Sequence, residues 1–162
     1  MPSFFNETHI RASLVDRLLD KHAHTKTDYI PSQSQTEKEY LDSIVRDLSH
    51  LFNTRSSTFE SYYESNNLTV VDYGIPDFSH YSLEDQDDRL KLLNHLRHSI
   101  LQFEPRIRNP VVESETDPVN ERRLRIRIGG TVMINKSPLR VTFLLKQNFE
   151  SHKWAVYESF RE

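Results

Sequence analysis

Apolar positions recur at helical spacing in the first two thirds of the chain and predict two main helices. Thr36 to Glu39 fits a capping box, and the apolar stripe that follows predicts a helix over residues 37–52. After Ser82, a longer amphipathic stretch predicts a central helix over residues 83–103. The apolar stripe of this second helix comprises Leu90, Leu93, Leu96, Ile100 and Phe103, and it is widened by Leu92 and Leu101.

Beyond Pro105 the apolar residues alternate with polar ones, which is typical of half-buried strands. Pro110 indicates an edge strand or a bulge, Gly129-Gly130 a kink, and residues 135–138 a hairpin turn. The predicted fold class is therefore α+β, with N-terminal helices packed on a C-terminal antiparallel β-meander of about four strands. The predicted strands are 107–112, 124–134, 139–145 and 154–159.

The N-terminal residues predict a helix and a linker that precede one domain. Apolar positions from Ile10 to Leu19 fall on one side of a three-turn helix, which is too short to be stable alone and must dock on this domain or on a partner. Residues 21–35 are polar and predict a linker. We therefore expect an N-terminal helix and flexible linker over residues 1–35, and a single α+β domain over residues 36–162.

The segment between the two main helices predicts a short helix and an ordered loop. A short helix is expected within residues 56–67, where three aromatic residues lie, and the ordered loop spans residues 72–78. The aromatic residues of the loop and its flank are interpreted as anchors in the core rather than as a ligand cage. They are Tyr73, Phe78 and Tyr81.

Composition narrows the class of protein. The 162 residues carry a net charge of −3, which argues against a general nucleic-acid binder, and they include no cysteine. Neither a signal peptide nor an apolar run of about 18 residues occurs, so we expect a soluble, cytoplasmic chain. The charges are unevenly spread. Residues 56–88 contain eight acids and neither Lys nor Arg, whereas six arginines lie between Pro105 and Ile128.

Glu104 occupies an unfavourable position at the predicted end of the central helix. Because Pro105 disfavours the α conformation in the residue before it, the helix should stop at about Phe103 or Glu104. A carboxylate beside the negative end of the helix dipole typically costs ~0.3–1 kcal/mol. One explanation is that Glu104 pairs locally with Arg106, and the other is that the motif contacts a partner. The sequence leaves both open.

Catalytic and metal-binding explanations find little support. A glycosidase needs two carboxylates, one with a raised pKa, yet Arg106 beside Glu104 would lower that pKa. Neither a nucleophile motif nor a phosphate-binding glycine loop occurs. His95 and His98 lack a third ligand at strong spacing, and we interpret them as residues of the polar face or of the last turn. We therefore expect no enzyme activity, no cofactor and no metal.

Three short motifs in order carry a family resemblance. They are Leu51 to Arg55, Asp72 to Phe78 and Phe103 to Ile107. With the helix-then-sheet plan, they resemble the TssE family of bacterial type VI secretion. That family is similar to a baseplate wedge protein of contractile-tailed phages that was once labelled lysozyme-like. The resemblance extends from about Ile10 to Tyr157.

The resemblance implies a structural subunit rather than an enzyme. It implies a place in the baseplate wedge with the TssF, TssG and TssK subunits, docked at the inner membrane without inserting into it. It also implies contact with the TssB/TssC sheath, whose polymerisation the family helps to start. The motif held to be important for assembly maps onto Glu104, Pro105 and Arg106. Further interface or structural residues are expected at Asn53, Thr54, Arg55, Tyr73, Gly74, Pro76 and Asp77.

Two alternatives remain open from the sequence. The first is a lysozyme-like enzyme that cleaves peptidoglycan, as the older label of the family would suggest. The second is a regulatory anti-adaptor, because the same fold resembles a small protein that controls proteolysis of a sigma factor, and fold does not fix function.

Overall fold

The computed structural model describes residues 10–11, 34–65, 68–82, 85–116, 124–147 and 153–161, and these form an α+β fold as predicted. Helices precede a four-stranded antiparallel sheet, whose strands lie side by side in the order in which they follow one another along the chain. The helices are α1 (Glu37–Asn53), α2 (Glu60–Ser65) and α3 (Gln86–Phe103), with a 3-10 turn at Val70–Asp72. The strands are β1 (Ile10–Arg11), β2 (Ser34–Gln35), β3 (Ile107–Thr116), β4 (Leu124–Ile134), β5 (Ser137–Gln147) and β6 (Trp154–Arg161).

Helix α1 begins where the capping box predicts. The Thr36 side chain accepts from the backbone N–H of Glu39, and the Glu39 carboxylate accepts from the backbone N–H of Thr36 at 2.9 Å. The helix ends at Asn53, one residue beyond the predicted end. Its buried face points into the core shared with α3 and the sheet, and its apolar members are Leu41, Ile44, Leu48, Leu51 and Phe52.

Helix α3 corrects two predictions. It starts at Gln86 rather than at residue 83, and Asp85 is its cap, because the Asp85 carboxylate accepts from the backbone N–H groups of Asp87 and Asp88. Its buried face is also rotated relative to the predicted stripe. Leu90 and Leu101 lie at the surface, while His95, interpreted as a polar-face residue, is 3% exposed. The buried residues are Leu92, His95, Leu96, Ser99 and Ile100.

The four-stranded sheet covers the helices with one face. Alternate residues of the strands point into the core, among them Ile126, Ile128, Phe143 and Leu145. In β3 the register shifts between Arg108 and Val111, so that the edge and the bulge expected at Pro110 are both present. A tight turn at Asn135 and Lys136, both with positive φ, joins β4 to β5.

Gly130 allows a close approach between β3 and β4. A Cβ atom at Gly130 would lie 2.4 Å from Cγ2 of Ile107, which is 2% exposed. The neighbouring Gly129 has no such contact, since a Cβ there would lie 4.0 Å from the Val111 carbonyl oxygen. Both glycines keep their pairing with β5, and the irregularity near the predicted kink lies in the ladder with β3, where the register shifts between Arg108 and Val111.

Only a few residues of the predicted N-terminal helix and linker lie within the described part of the chain. Ile10 and Arg11, expected in a helix, form a short antiparallel pair with Ser34 and Gln35, which were expected in the linker. The rest of the predicted helix and linker, residues 12–33, lies outside the described residues. No helix in the described ranges is long and apolar enough to cross a membrane.

Candidate partner-binding site

The Glu104-Pro105-Arg106 motif forms the junction between α3 and β3. Glu104 caps α3 with a non-helical backbone (φ −126°, ψ 68°), and its N–H donates to the Ile100 carbonyl at 2.9 Å. Pro105 prevents continuation of the helix. The Ile107 N–H then donates to the Glu104 carbonyl at 3.1 Å, which turns the chain into the first long strand. The Glu104 side chain is buried, with 3% exposure.

Arg106 holds the buried carboxylate from two sides. Its Nε donates to Oε1 of Glu104 at 2.6 Å, and its Nη2 donates to Oε2. This is the bidentate geometry in which a guanidinium binds a carboxylate most strongly. The local ion pair considered from the sequence is therefore present in the structure.

The same guanidinium continues into helix α1. Its Nη1 donates to the Ser43 hydroxyl at 3.0 Å, and its Nη2 also donates to the Asp47 carboxylate. The Ser43 hydroxyl in turn donates to the Tyr40 carbonyl at 2.7 Å. Ser43 and Asp47 escaped the sequence analysis. Their spacing of four residues places them on one side of α1, but only the fold brings that side to Arg106.

Burial and charge act against each other at Arg106. Burial works to lower the pKa of Arg106, but the hydrogen bonds and charges of Glu104 and Asp47 outweigh it and raise that pKa above its usual value. Four of the five guanidinium N–H groups donate in the bonds described above. What faces solvent is Pro105 and about a fifth of the Arg106 side chain, which is 22% exposed.

A second group of predicted residues forms what we call the loop clasp, residues 53–55 and 73–77. The Ile75 N–H donates to the Thr54 carbonyl and the Ser56 N–H donates to the Ile75 carbonyl, both at 2.9 Å. Gly74, with φ +118°, permits this approach, because a Cβ there would lie 2.5 Å from the Thr54 carbonyl oxygen. Pro76 is buried beside it, and Arg55 pairs with Asp77 on the outside of the clasp.

Asn53 connects the loop clasp to the last strand. Its amide Nδ2 donates to the Trp154 carbonyl and its Oδ1 accepts from the Trp154 N–H, each at 2.8 Å. The side chain thus pairs with the first residue of β6 as a neighbouring strand would. A residue at the end of a helix gives no sequence signal for a partner about a hundred positions later.

Tyr73 brings the two predicted groups together. Its ring meets the ring of Phe103 edge to face, with 5.2 Å between centroids, and Phe103 directly precedes Glu104. Burial, followed by the nearby charges of Asp47 and Glu104, raises the pKa of Tyr73. Tyr73, Phe78 and Tyr81 all pack against the core as anchors, as expected from the sequence.

The Glu104 carboxylate is held in an internal ion pair. Both of its oxygens accept from Arg106, and Glu104 is buried. Within the described ranges, no group of three or more His, Cys, Asp or Glu residues could hold a metal ion. Whether the predicted site residues bind a partner stays a prediction.

A comparison with protein families identifies the chain's relatives. The family described as baseplate wedge protein gp25 matches residues 38–137, more than half of the chain. The chain belongs to the baseplate wedge protein gp25 family. The match contains the Glu104-Pro105-Arg106 motif and the whole loop clasp, and it ends at the start of β5. No curated protein and no solved structure matches the chain.

Membership of the baseplate wedge protein gp25 family confirms the resemblance drawn from the three motifs. It supports a structural role within a baseplate, where protein–protein contacts hold the assembly together. The family is one of structural wedge proteins, in agreement with the expectation of a subunit rather than an enzyme.

Proposed function

We propose that the chain is the TssE-type subunit of a type VI secretion baseplate, which joins the wedge and starts polymerisation of the contractile sheath. The observation that carries the proposal is the family match over residues 38–137, which includes the Phe103 to Ile107 motif. The proposed partners are the wedge subunits TssF, TssG and TssK and the sheath of TssB and TssC. The proposed location is the cytoplasmic side of the inner membrane, within the docked baseplate.

The proposed sheath contact is the outer edge of β6. The four-stranded sheet has two edge strands, β3 and β6. Along β3, the bulge interrupts the edge, Pro110 lacks an N–H, and its carbonyl accepts from Arg97 Nε at 3.1 Å. β6 contains no proline, and within the described sheet it pairs on one side only, with β5, although that ladder shifts register between Thr142 and Phe143. On the other side Asn53 already pairs with the backbone of Trp154, so residues 155–161 are the part of β6 that offers backbone groups to an added strand, as in β-augmentation.

The proposed wedge contact is the solvent side of the Glu104-Pro105-Arg106 motif. The internal bonds fix the direction of the guanidinium, and one of its N–H groups is left over from the four bonds described above. Pro105 is exposed beside it. Glu104 is buried, so its proposed part is to hold Arg106 in place for the partner, and the loop clasp supports the same surface through Tyr73.

Hydrogen exchange tests the sheath contact without altering the chain. We expect addition of purified sheath subunits to slow amide exchange along residues 155–161, because new interstrand bonds protect the outward N–H groups beyond Trp154. Exchange along Ile107–Thr116 serves as the internal control and should not change. Protection of β3 instead of β6, or of neither strand, would contradict the proposed edge.

Two exposed prolines test the wedge contact. Pro105→Ala should reduce co-purification with wedge subunits and sheath assembly in cells, because Pro105 fixes the backbone that carries Arg106. Pro138→Ala, at the exposed start of β5, is the matched control and should assemble normally. Each change acts on stability by only about 0.4–1 kcal/mol through the unfolded state. Normal assembly by the Pro105 variant would remove the motif from the interface.

A zymogram separates the structural role from a lysozyme-like activity. Purified protein should leave a peptidoglycan gel uncleared, because Glu104 is held by Arg106 and cannot serve as a general acid. Clearing by the chain that disappears in Glu104→Gln would overturn the proposal. Failure to co-purify with any wedge or sheath subunit would do the same and would favour the anti-adaptor alternative.

A further inference from the structure

Apolar side chains are strongly exposed in one part of the described chain. Phe59 is 85% exposed, Val70 88% and Val71 81%, and each of the other exposed large apolar residues that the structure describes is 55% exposed or less. Tyr62, at 45%, lies one helical turn from Phe59. We call these four residues the 59–71 surface. Isolated apolar residues are common on protein surfaces, whereas a group of this kind marks a contact site.

The 59–71 surface is held in place by hydrogen bonds. The Thr69 hydroxyl accepts from the Val71 N–H at 3.3 Å, and Asp72 accepts from the Thr69 N–H at 2.9 Å, so the 3-10 turn is capped by reciprocal bonds. The Thr58 hydroxyl donates to Asp72 at 2.7 Å. This last bond joins the neighbour of Phe59 to the neighbour of Val71, and it keeps the two halves of the surface side by side.

The charge of the segment that carries the surface selects the partner. Residues 56–88 contain eight acids and neither Lys nor Arg. Asp77 and Asp88 pair with Arg55 and Lys91, and the remaining acids leave the segment negative. Asp72, beside Val71, is ionised at neutral pH like an ordinary Asp, and hydrogen bonds from Thr58 and then from Thr69 hold its pKa below the usual range. A cationic partner gains from this field, and an acidic one is repelled.

The backbone of the 59–71 surface favours contact through side chains over pairing with an added strand. The 3-10 turn uses N–H groups internally, since the Asp72 N–H donates to the Thr69 carbonyl at 3.0 Å and the Tyr73 N–H to the Val70 carbonyl at 3.4 Å. None of the four residues of the 59–71 surface, all of them described, lies in a strand, so an added strand finds no edge there. The contact must therefore use side chains, as an amphipathic helix does when it lays its apolar face on a hydrophobic surface.

We propose that the 59–71 surface binds a basic amphipathic helix of another baseplate protein. Apolar side chains of that helix cover Phe59, Val70 and Val71, and its flanking Lys or Arg residues face the acidic segment. The identity of the partner as a baseplate protein rests on the proposed function. The surface lies at the start of α2 and on the 3-10 turn, which are other elements than those of the Glu104-Pro105-Arg106 motif and β6, so it supplies a third contact.

Two other possible occupants of the 59–71 surface complement the charge of the acidic segment less well than a basic helix does. A second copy of the chain would bring two acidic segments together, and like charges across an interface disfavour it. The chain's own residues 1–33 carry four acids (Glu7, Asp16, Asp20, Asp28) and four cations (Arg11, Arg17, Lys21, Lys26), so they offer no excess of positive charge.

Photo-crosslinking identifies the occupant directly. A benzophenone amino acid replaces Val71 in the full chain, in cells that assemble the baseplate, and the same amino acid at Val111 is the matched control. Val111 is also an exposed valine, at 55%, but lies on β3. We expect position 71 to crosslink to a segment of another protein that is basic and has apolar residues at helical spacing, and position 111 not to crosslink to that segment.

A binding measurement then tests the chemistry of the contact. A synthetic peptide with the crosslinked sequence should bind the full chain more weakly as salt is raised, because exposed charges are screened. The double variant Val70→Ser/Val71→Ser should weaken binding at least tenfold, whereas Val111→Ser should leave it unchanged. The three valines are exposed, so the variants keep the core intact. Equal binding by both variants would overturn the proposal.

The crosslinked sequence separates the remaining outcomes. A crosslink to a second copy, to residues 1–33, to an acidic segment, or to nothing overturns the proposed surface. A basic amphipathic segment from a protein outside any baseplate supports the chemistry of the surface but overturns the baseplate function. Protection of β6 by sheath subunits together with no crosslink at position 71 leaves the proposed function standing and removes only the third contact.

Discussion

Glu104 shows how a residue that is locally unfavourable becomes part of a stable junction. A carboxylate at a helix C-terminus opposes the helix dipole, and burial of a charge adds a larger desolvation cost. The bidentate bonds from Arg106 offset both, and Asp47 and Ser43 accept from the remaining sides of the guanidinium. The motif is therefore a structural tie between α1, α3 and β3, and any contact with a partner is made by its outer side.

Removal of Arg106 should destabilise the fold strongly. Arg106→Ala leaves Glu104 buried and without its counter-charge, and loss of one partner of a buried pair typically costs about 3–5 kcal/mol. The partial exposure of Arg106 places the expected loss in the free energy of unfolding near the lower end, at about 3 kcal/mol. Urea unfolding of the purified variant measures it.

Arg127→Ala is the matched control for this change. Arg127 pairs with Glu115 on the sheet, where the arginine side chain is 50% exposed. Exposed pairs contribute about 0–1 kcal/mol, so this variant should unfold close to the parent. Equal losses in the two variants would show that the Glu104–Arg106 pair behaves as an ordinary surface pair.

Tyr63 should make the fold sensitive to alkali. Burial raises the pKa of Tyr63 from 10.0 to about 12, against a smaller lowering by the hydrogen bond with Ser99. Below pH 10 the Tyr63 hydroxyl keeps its proton in both the folded and the unfolded chain. The contribution of the protonated Tyr63 to the free energy of unfolding is then fully present. Between pH 10 and about 12 the unfolded chain loses it first, so the free energy of unfolding should fall by about 2–3 kcal/mol.

Comparison with Tyr63→Phe isolates this contribution. The variant loses the hydrogen bond to the Gly74 carbonyl, 2.7 Å long in the parent, and should start about 1 kcal/mol less stable at neutral pH. Its free energy of unfolding should then decline less steeply than that of the parent above pH 10. Parallel curves for the two proteins would assign the alkaline loss to other groups.

At the scale of elements, the sequence predicts the helix starts and the strands that depend on residues close together in the chain. The capping box at Thr36 locates the start of α1, and the alternation after Pro105 identifies the strands. The face of α3 escapes prediction because His95 and Ser99 are polar and yet buried. Ser99 is accommodated by tertiary bonds, including its contact with the Tyr63 hydroxyl. The hydrogen bonds from Arg106 to α1 and from Asn53 to Trp154 cannot be predicted from the sequence either, since they depend on how distant elements pack.

Two adjacent glycines offer a test of packing between strands. Gly130→Ala places a methyl group against Ile107, and overpacking of a buried site typically costs about 1–3 kcal/mol. Gly129→Ala, its neighbour on the other face of β4, brings the methyl group no closer than ordinary van der Waals contact and should change the free energy of unfolding by less than about 0.5 kcal/mol. Thermal unfolding of both variants checks the difference. A larger effect at position 129 would contradict the close approach of β3 to β4 at Gly130.

At the scale of the whole molecule, the core lies within one continuous stretch. Its buried members run from Leu41 in α1 to Val156 in β6. The chain from Ser34 onwards therefore contains every described residue of this core. We expect a protein truncated to residues 34–162 to fold with a free energy of unfolding within about 1 kcal/mol of the full chain, as denaturant curves would measure. A truncated protein that unfolds without a cooperative transition in denaturant would show that residues 1–33 complete the core.

The bond between Asn53 and Trp154 has a consequence for the order of events. The end of the first helix and the start of the last strand are 101 residues apart, and Asn53 pairs with both backbone groups of Trp154. The strand that we propose as the template for the sheath therefore reaches its final place only after nearly all of the chain has been synthesised and the first helix has formed. A subunit in which β6 has not yet docked lacks the proposed edge, and we expect it not to start the polymer.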